Sequence, residues 1–307
     1  MEMNKVLTIE ATSWQSARHL SEFLILWYFR GQSNSTWELS STMERIGNIY
    51  SEILFPEKDE AGFIFELKRR AHHYLAHPPA DNDSLEWLSI LQHYGCPTRL
   101  LDFTHSFYVA AFFAVETAEE DSAIWAINHK SINNSLASKL DLKTTPQMSL
   151  YDENSRNINL VQQYIGQEKR SNKLVVDVEP IILTERLSIQ QGLFMFPLDG
   201  HSRFMDNLFS SFDITRKQFE ESVINPIKSD DVTDEQISSA SLIKIILPHG
   251  CSETVIHDLK KMNITAATLF PGLDGFARSL RIRLHLPIDD DWENRWTDFH
   301  LRGMIKK

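Results

Sequence analysis

Apolar residues in this chain come in short dense runs and in helical stripes, with polar turns between them. Residues 13–22 carry helix formers and lead into a first helix. The run Leu24-Ile25-Leu26-Trp27-Tyr28-Phe29 ends at Arg30-Gly31-Gln32, and its length and aromatic content predict a buried strand. Trp37-Glu38-Leu39, after a polar turn, predicts a short partner strand. Phe63, Leu67, Tyr74 and Leu75 recur at roughly helical spacing, which predicts a helix over 60–76, stopped by Pro78-Pro79. Ser84 is placed to cap a helix that runs to about Tyr94, where Gly95 and Pro97 break the chain. Residues 98–103 predict a strand, 105–116 a helix repeating through Phe107, Ala110, Ala111 and Ala114, and 123–128 another strand.

The stretch 130–171 is polar and less periodic, with a helix expected over 157–166. A short strand is expected at 174–178, and one or two strands around Gly192 within 186–196. Residues 226–240 are acidic and serine-rich and read as a loop or linker. A strand at 242–247, a helix over 252–262 capped by Ser252 and a helix over 272–283 follow. Trp292 and Trp296 imply that the last residues pack back onto the body. These elements predict an α+β fold, a mixed sheet core with flanking helices. They are expected to form a single domain over 1–307, with a core of about 24–284 and a C-terminal extension at 285–307.

Composition narrows the class. The chain is 42% hydrophobic and 24% charged, as globular proteins are. Its net charge is −11, which argues against a general grip on duplex DNA. Two cysteines, Cys96 and Cys251, make no disulfide framework and read as reduced thiols. Residues 1–11 show no signal-peptide pattern, and the apolar stretch 23–29 falls well short of the ~20 residues a bilayer needs. A cytoplasmic protein without a membrane partner is expected.

One stretch is distinctive: Gln92-His93-Tyr94-Gly95-Cys96-Pro97-Thr98-Arg99-Leu100-Leu101-Asp102-Phe103-Thr104. Together with Phe29-Arg30-Gly31-Gln32 it resembles the FRG-domain family, which takes its name from that tripeptide. Ala110, Phe113 and Ala114 match the helix after the aspartate. Gln191-Gly192-Leu193-Phe194 and Leu269-Phe270-Pro271-Gly272-Leu273-Asp274-Gly275 match later pieces, so the resemblance runs over about residues 24–280. The order of a strand arginine, the strand end Asp102-Phe103-Thr104, an alanine–phenylalanine helix and a further strand is in turn similar to the ADP-ribosyltransferase fold. Where arginine-type members hold serine–threonine–serine, this chain holds Asp102-Phe103-Thr104, and Thr104 preserves a hydroxyl.

The resemblance implies an ADP-ribosyltransferase-like protein with NAD as its substrate, in a toxin or phage-defence effector that acts on nucleic acid or protein. Such chemistry needs a cation for the pyrophosphate and ribose, and Arg30 offers a bidentate fork. It needs an aromatic face for nicotinamide, which Tyr94 or Phe103 can supply. It also needs a carboxylate to steady the sugar as nicotinamide leaves. Asp102 and Glu185 are the candidates, with Gln190 and Gln191 near where the family likeness places a glutamate. Catalytic roles are expected of Arg30, Asp102, His93 and Gln191. Ligand contacts are expected of Arg30, Gly31, Gln32, Tyr94, Arg99, Phe103 and Thr104, with Arg203 as a further cation.

Two readings from other classes stand beside this one. A non-catalytic module can use the same residues to hold a nucleotide or peptide. A hydrolase or nuclease can use His93, which titrates near neutrality, together with Asp102. Arg30 can also be a core residue, and Asp102 with Arg99 a structural ion pair. Cys96, next to Pro97, reads better as a turn residue than as a nucleophile. His73 and His77 are spaced to share a helix face, but the glutamate and cysteine companions of zinc motifs are missing, so no metal site is expected.

Overall fold

A computed structural model describes residues 5–50, 56–142, 148–166 and 172–285. The tryptophans at 292 and 296 lie outside the described residues. Eight strands form one sheet: β1 Val6–Glu10, β2 Trp27–Gln32, β3 Leu101–Thr104, β4 Ser122–Asn128, β5 Val175–Val178, β6 Gly192–Pro197, β7 Ile227–Lys228 and β8 Leu242–Leu247. Their order is β5-β6-β3-β2-β4-β8-β1-β7. β1 runs parallel to β7 and β8, and every other pair is antiparallel. The chain is therefore an α+β protein with a mixed sheet and many flanking helices.

Both faces of the sheet are covered. One face packs Leu7, Ile9, Phe29, Ile124, Ala126, Ile243 and Ile245 against helices Trp14–Phe23, Phe107–Val115 and Ser252–Lys261. The other packs Tyr28, Trp125, Ile127 and Leu242 against helices that include Ser84–His93, His129–Lys139, Leu150–Tyr164 and Phe204–Phe212. Phe107–Val115 is apolar almost all round because it is buried almost all round. Ser106 caps it, accepting a hydrogen bond from the Val109 amide.

Several expectations from the pattern are corrected. Trp37-Glu38-Leu39 is not a strand, because both edges of β2 are already taken by β3 and β4. Residues 98–128 do form strand, helix and strand, but β2 lies between β3 and β4, so those two do not pair. Of the one or two strands expected within 186–196, one forms, β6, and the residues before it make a short helix, Glu185–Ile189. Residues 226–240 are not a linker. They contain β7 and helix Asp234–Ser239, whose Thr233/Gln236 capping box uses the polar residues that suggested a loop. β1 is a buried interior strand in a segment that shows no long apolar run, since five residues suffice when both faces are covered. Helix Pro56–Arg70 ends before His73, which sits in a separate 3-10 turn, Ala71–His73, so His73 and His77 share no α-helical face. Caps fall one residue earlier than expected, at Asp83 and Cys251.

Candidate functional site

Strand alternation decides which residues of β2 meet solvent. Tyr28, Arg30 and Gln32 share one face, and Arg30 stands directly opposite Trp125 of β4. Gly31 faces the other way, onto helix Phe107–Val115. A Cβ at that position would lie 2.0 Å from the Ala110 carbonyl oxygen and 2.5 Å from the Ala114 nitrogen. The helix thus packs on bare backbone and Gly31 sets the depth of the strand, while Gly31 also lines the cleft beyond the end of β2.

Beyond the end of β2 opens a cleft of about 860 Å³, lined by residues from β2, the loop 33–40, β3 and several distant segments. Arg30 lies against its floor with its side chain 20% exposed. One terminal nitrogen donates to the Asp102 carbonyl at 2.6 Å and stands 4.0 Å from the Asp102 carboxylate, while its buried Nε has no hydrogen-bond partner. Burial pulls the Arg30 pKa below the usual arginine range, and the Asp102 charge opposes that shift. Asp102 keeps 58% of its side chain exposed. Gln92 steadies it, donating from Nε2 to the Asp102 carboxylate and to the Leu100 carbonyl at 3.2 Å each. Thr98 donates to the Gln92 carbonyl oxygen and so fixes the amide's orientation. The structure therefore brings Arg30, Asp102 and Gln92 together.

The cleft lining carries more cations than anions. Five arginines line it (Arg30, Arg45, Arg186, Arg203 and Arg278) against three carboxylates (Glu38, Glu44 and Asp102). Two of those carboxylates are engaged. Glu38 pairs with Arg216 at 2.7 Å, and Glu44 accepts the Phe204 amide at 3.0 Å. Burial also raises the Glu44 pKa, though the Phe204 amide and Arg203 work against it.

Of the other expected site residues, Gln32, Phe103 and Thr104 also line this cleft, while Gln191, Arg99, His93 and Tyr94 lie elsewhere. Gln32 is used internally: its carbonyl oxygen accepts from Trp125 Nε1 at 2.7 Å, and its amide donates to the Glu38 carbonyl at 3.3 Å, which shapes the loop 33–40. Phe103 forms part of the buried cleft floor. Thr104 donates its hydroxyl to the Gln190 carbonyl at 2.7 Å, which ties β3 to the turn before β6. Gln191 sits at the left-handed position of that turn, with φ of 49°. Gln190, not Gln191, lines the cleft. Arg99 lines neither cleft described here. It is 2% exposed and forms a salt bridge to Glu60 at 2.7 Å, over the ring of Phe196. His93 and Tyr94 line a second cleft of about 820 Å³, together with Glu185. Burial, and next the charge of Arg186, lower the His93 pKa.

Arg45, Arg186 and Arg278 belong to the cleft without any local motif marking them. Arg186 lies five residues before Gln191 and Arg278 four after Asp274, so each is close to a family-like piece, but only the fold turns them inward.

Residues 26–123 match the FRG domain family, so the chain carries an FRG domain over that span. No curated protein matches the chain, and no solved structure does. The matched span supplies Arg30, Glu38, Arg45 and Asp102, whereas Arg186, Arg203 and Arg278 come from outside it.

Proposed function

We propose that the arginine-lined cleft binds a phosphate-bearing nucleotide of the NAD type and that the protein transfers its ADP-ribosyl group. The observation that carries this reading is the charge of the cleft: five arginines against three carboxylates, in a chain of net charge −11. Such a local field favours a polyanion over a neutral ligand. Arg30 anchors it through the 20% of its side chain that stays exposed at the cleft floor. Asp102 is the most loosely held cleft carboxylate: Arg30 stands 4.0 Å away and the Gln92 amide 3.2 Å, whereas Glu38 pairs with Arg216 at 2.7 Å and Glu44 accepts the Phe204 amide at 3.0 Å. In the transfer, the bond from ribose to nicotinamide breaks and nicotinamide leaves with the bonding pair. Positive charge builds on the sugar until the acceptor's lone pair closes on the same carbon and the acceptor loses its proton. A carboxylate at Asp102 stabilises that charge where it develops. The family likeness adds a setting, an effector acting on nucleic acid or protein.

The test is incubation with nicotinamide-labelled NAD, with and without cell extract. Release of nicotinamide that depends on Arg30 and Asp102 is the expected result, and intact NAD under both conditions would sink the transferase reading. Binding without release would instead mark a nucleotide-binding module, a reading favoured by the engagement of Glu38 and Glu44 elsewhere. A hydrolase built on His93 and Asp102 draws no support, because the two residues line different clefts.

A further inference from the structure

The second cleft adjoins the first, and the residues that line both are Arg186 and Arg278. Both guanidiniums stack on the ring of Phe270, Arg186 at 4.5 Å and Arg278 at 4.0 Å from its centre. Only Arg278 has a carboxylate partner among the described residues. It forks onto Glu116, with both contacts at 2.5 Å. Arg186 has no ion pair within the described part of the chain, and the Asp102 charge reaches it from the first cleft. Two cations thus meet at the junction with one fully engaged counter-charge, an arrangement that an anion placed there would relieve.

The two cavities differ from the junction in the same way. Each presents an exposed aromatic ring, Trp37 at 54% in the first and Tyr94 at 76% in the second. Such a ring gives a base a face to stack on. The second cavity also carries Glu86, Glu185 and Asp274, which repel phosphate and confine it to the junction. We infer that the ligand is a dinucleoside pyrophosphate spanning both clefts, its anionic centre on Arg186 and Arg278 and one base in each cavity. This deepens the nucleotide reading above and rests on it. Asp102 lies in the first cleft, so that cavity takes the nicotinamide nucleoside and the Tyr94 cavity takes the adenosine. A mononucleotide would fill half of the site. A nucleic-acid strand would carry further phosphates into the acidic second cavity.

Calorimetric titration of the full chain with NAD, diadenosine pyrophosphate, AMP and nicotinamide mononucleotide tests the inference. Both dinucleotides are expected to bind at least about tenfold more tightly than either mononucleotide. Arg186→Gln should remove most of that advantage. Tyr94→Ala, at an exposed position where folding is checked by circular dichroism, should weaken NAD and AMP by about fivefold or more and leave nicotinamide mononucleotide within about twofold. Equal affinity for dinucleotides and their halves, or unaltered NAD binding by Tyr94→Ala, overturns the spanning ligand even where nicotinamide is released. Tight binding of diadenosine pyrophosphate with no binding or cleavage of NAD keeps the spanning site and removes the transferase.

Discussion

Gly31 and Ala110 meet backbone to backbone: a side chain on Gly31 would begin 2.0 Å from the Ala110 carbonyl oxygen. The glycine of the Arg30-Gly31 pair thus serves packing, and both residues line the cleft. The obstacle is helix backbone, which cannot step aside as a flexible side chain can. Gly31→Ala should therefore destabilise the protein by about 1–3 kcal/mol or more, the usual cost of overpacking. Thermal melting would show it, and a variant that melts with the parent would mean that helix Phe107–Val115 sits farther from β2 than described.

Arg99 and Glu60 form a buried pair, at 2% and 0% side-chain exposure. Glu60 also accepts the Arg99 amide at 2.7 Å, and Arg99 reaches the Tyr164 carbonyl at 3.3 Å. Arg99→Met should strand the Glu60 charge and cost about 3–5 kcal/mol, while the double change Glu60→Leu/Arg99→Met should recover much of that loss. Denaturant titration of the single and double variants decides the matter. A fully stable Arg99→Met protein with impaired nucleotide binding would return Arg99 to the ligand site.

Arg99 also shows where the sequence stops being readable. It stands in the most distinctive motif of the chain, and nothing local says that its side chain turns inward. That depends on Glu60, which arrives 39 residues earlier in sequence on helix Pro56–Arg70. β2, β3 and β4 were legible because their aromatic and β-branched runs end in sharp polar breaks. β1 was not, because five residues preceded by Lys5 and ending in Glu10 carry too little pattern. The Arg30–Asp102 association was legible, since both residues end apolar strands, where sheets leave clefts. Arg186 and Arg278 were not, because the tertiary fold brings them in: Arg186 precedes β6, which lies next to β3 and so near β2, and Arg278 arrives on helix Leu273–His285.

A second buried polar cluster sets a pH dependence. The Tyr28 hydroxyl donates to Asp177 at 2.8 Å and meets His129 Nδ1 at 2.6 Å, while His129 Nε2 lies 3.0 Å from Glu153. Burial alone would lower the His129 pKa. Asp177, by hydrogen bond and charge, and then Glu153 outweigh it, so the folded-state pKa is raised. A raised histidine pKa contributes stability that is fully present below the unfolded value of ~6.5 and is lost as pH rises through the folded value. The stability gap between the parent and His129→Gln should therefore be widest under mildly acidic conditions and shrink as pH rises past neutrality. Urea titrations across that range would measure it, and a gap that widens with pH contradicts the assignment.

Arg30 and Asp102 separate binding from chemistry. Arg30 donates to the Asp102 carbonyl yet keeps a buried Nε unpartnered, and it is 20% exposed toward the cleft. Arg30→Ala should weaken nucleotide binding by roughly 1.5–3 kcal/mol, the worth of a hydrogen bond to a charged group. Arg30→Lys should recover little, because an ammonium cannot reproduce the planar fork. Asp102→Asn keeps the size of the side chain and removes its charge. If Asp102 steadies the sugar only as positive charge develops, the change should spare NAD affinity and depress nicotinamide release, since uniform binding is untouched while transition-state stabilisation is lost. Asp102 also stands 4.0 Å from Arg30, so removing its charge frees the guanidinium, and NAD affinity should hold or rise slightly. Release that continues unchanged in Asp102→Asn would take Asp102 out of the reaction and leave Glu38 and Glu44, the remaining carboxylates of that cleft, as the groups to vary next.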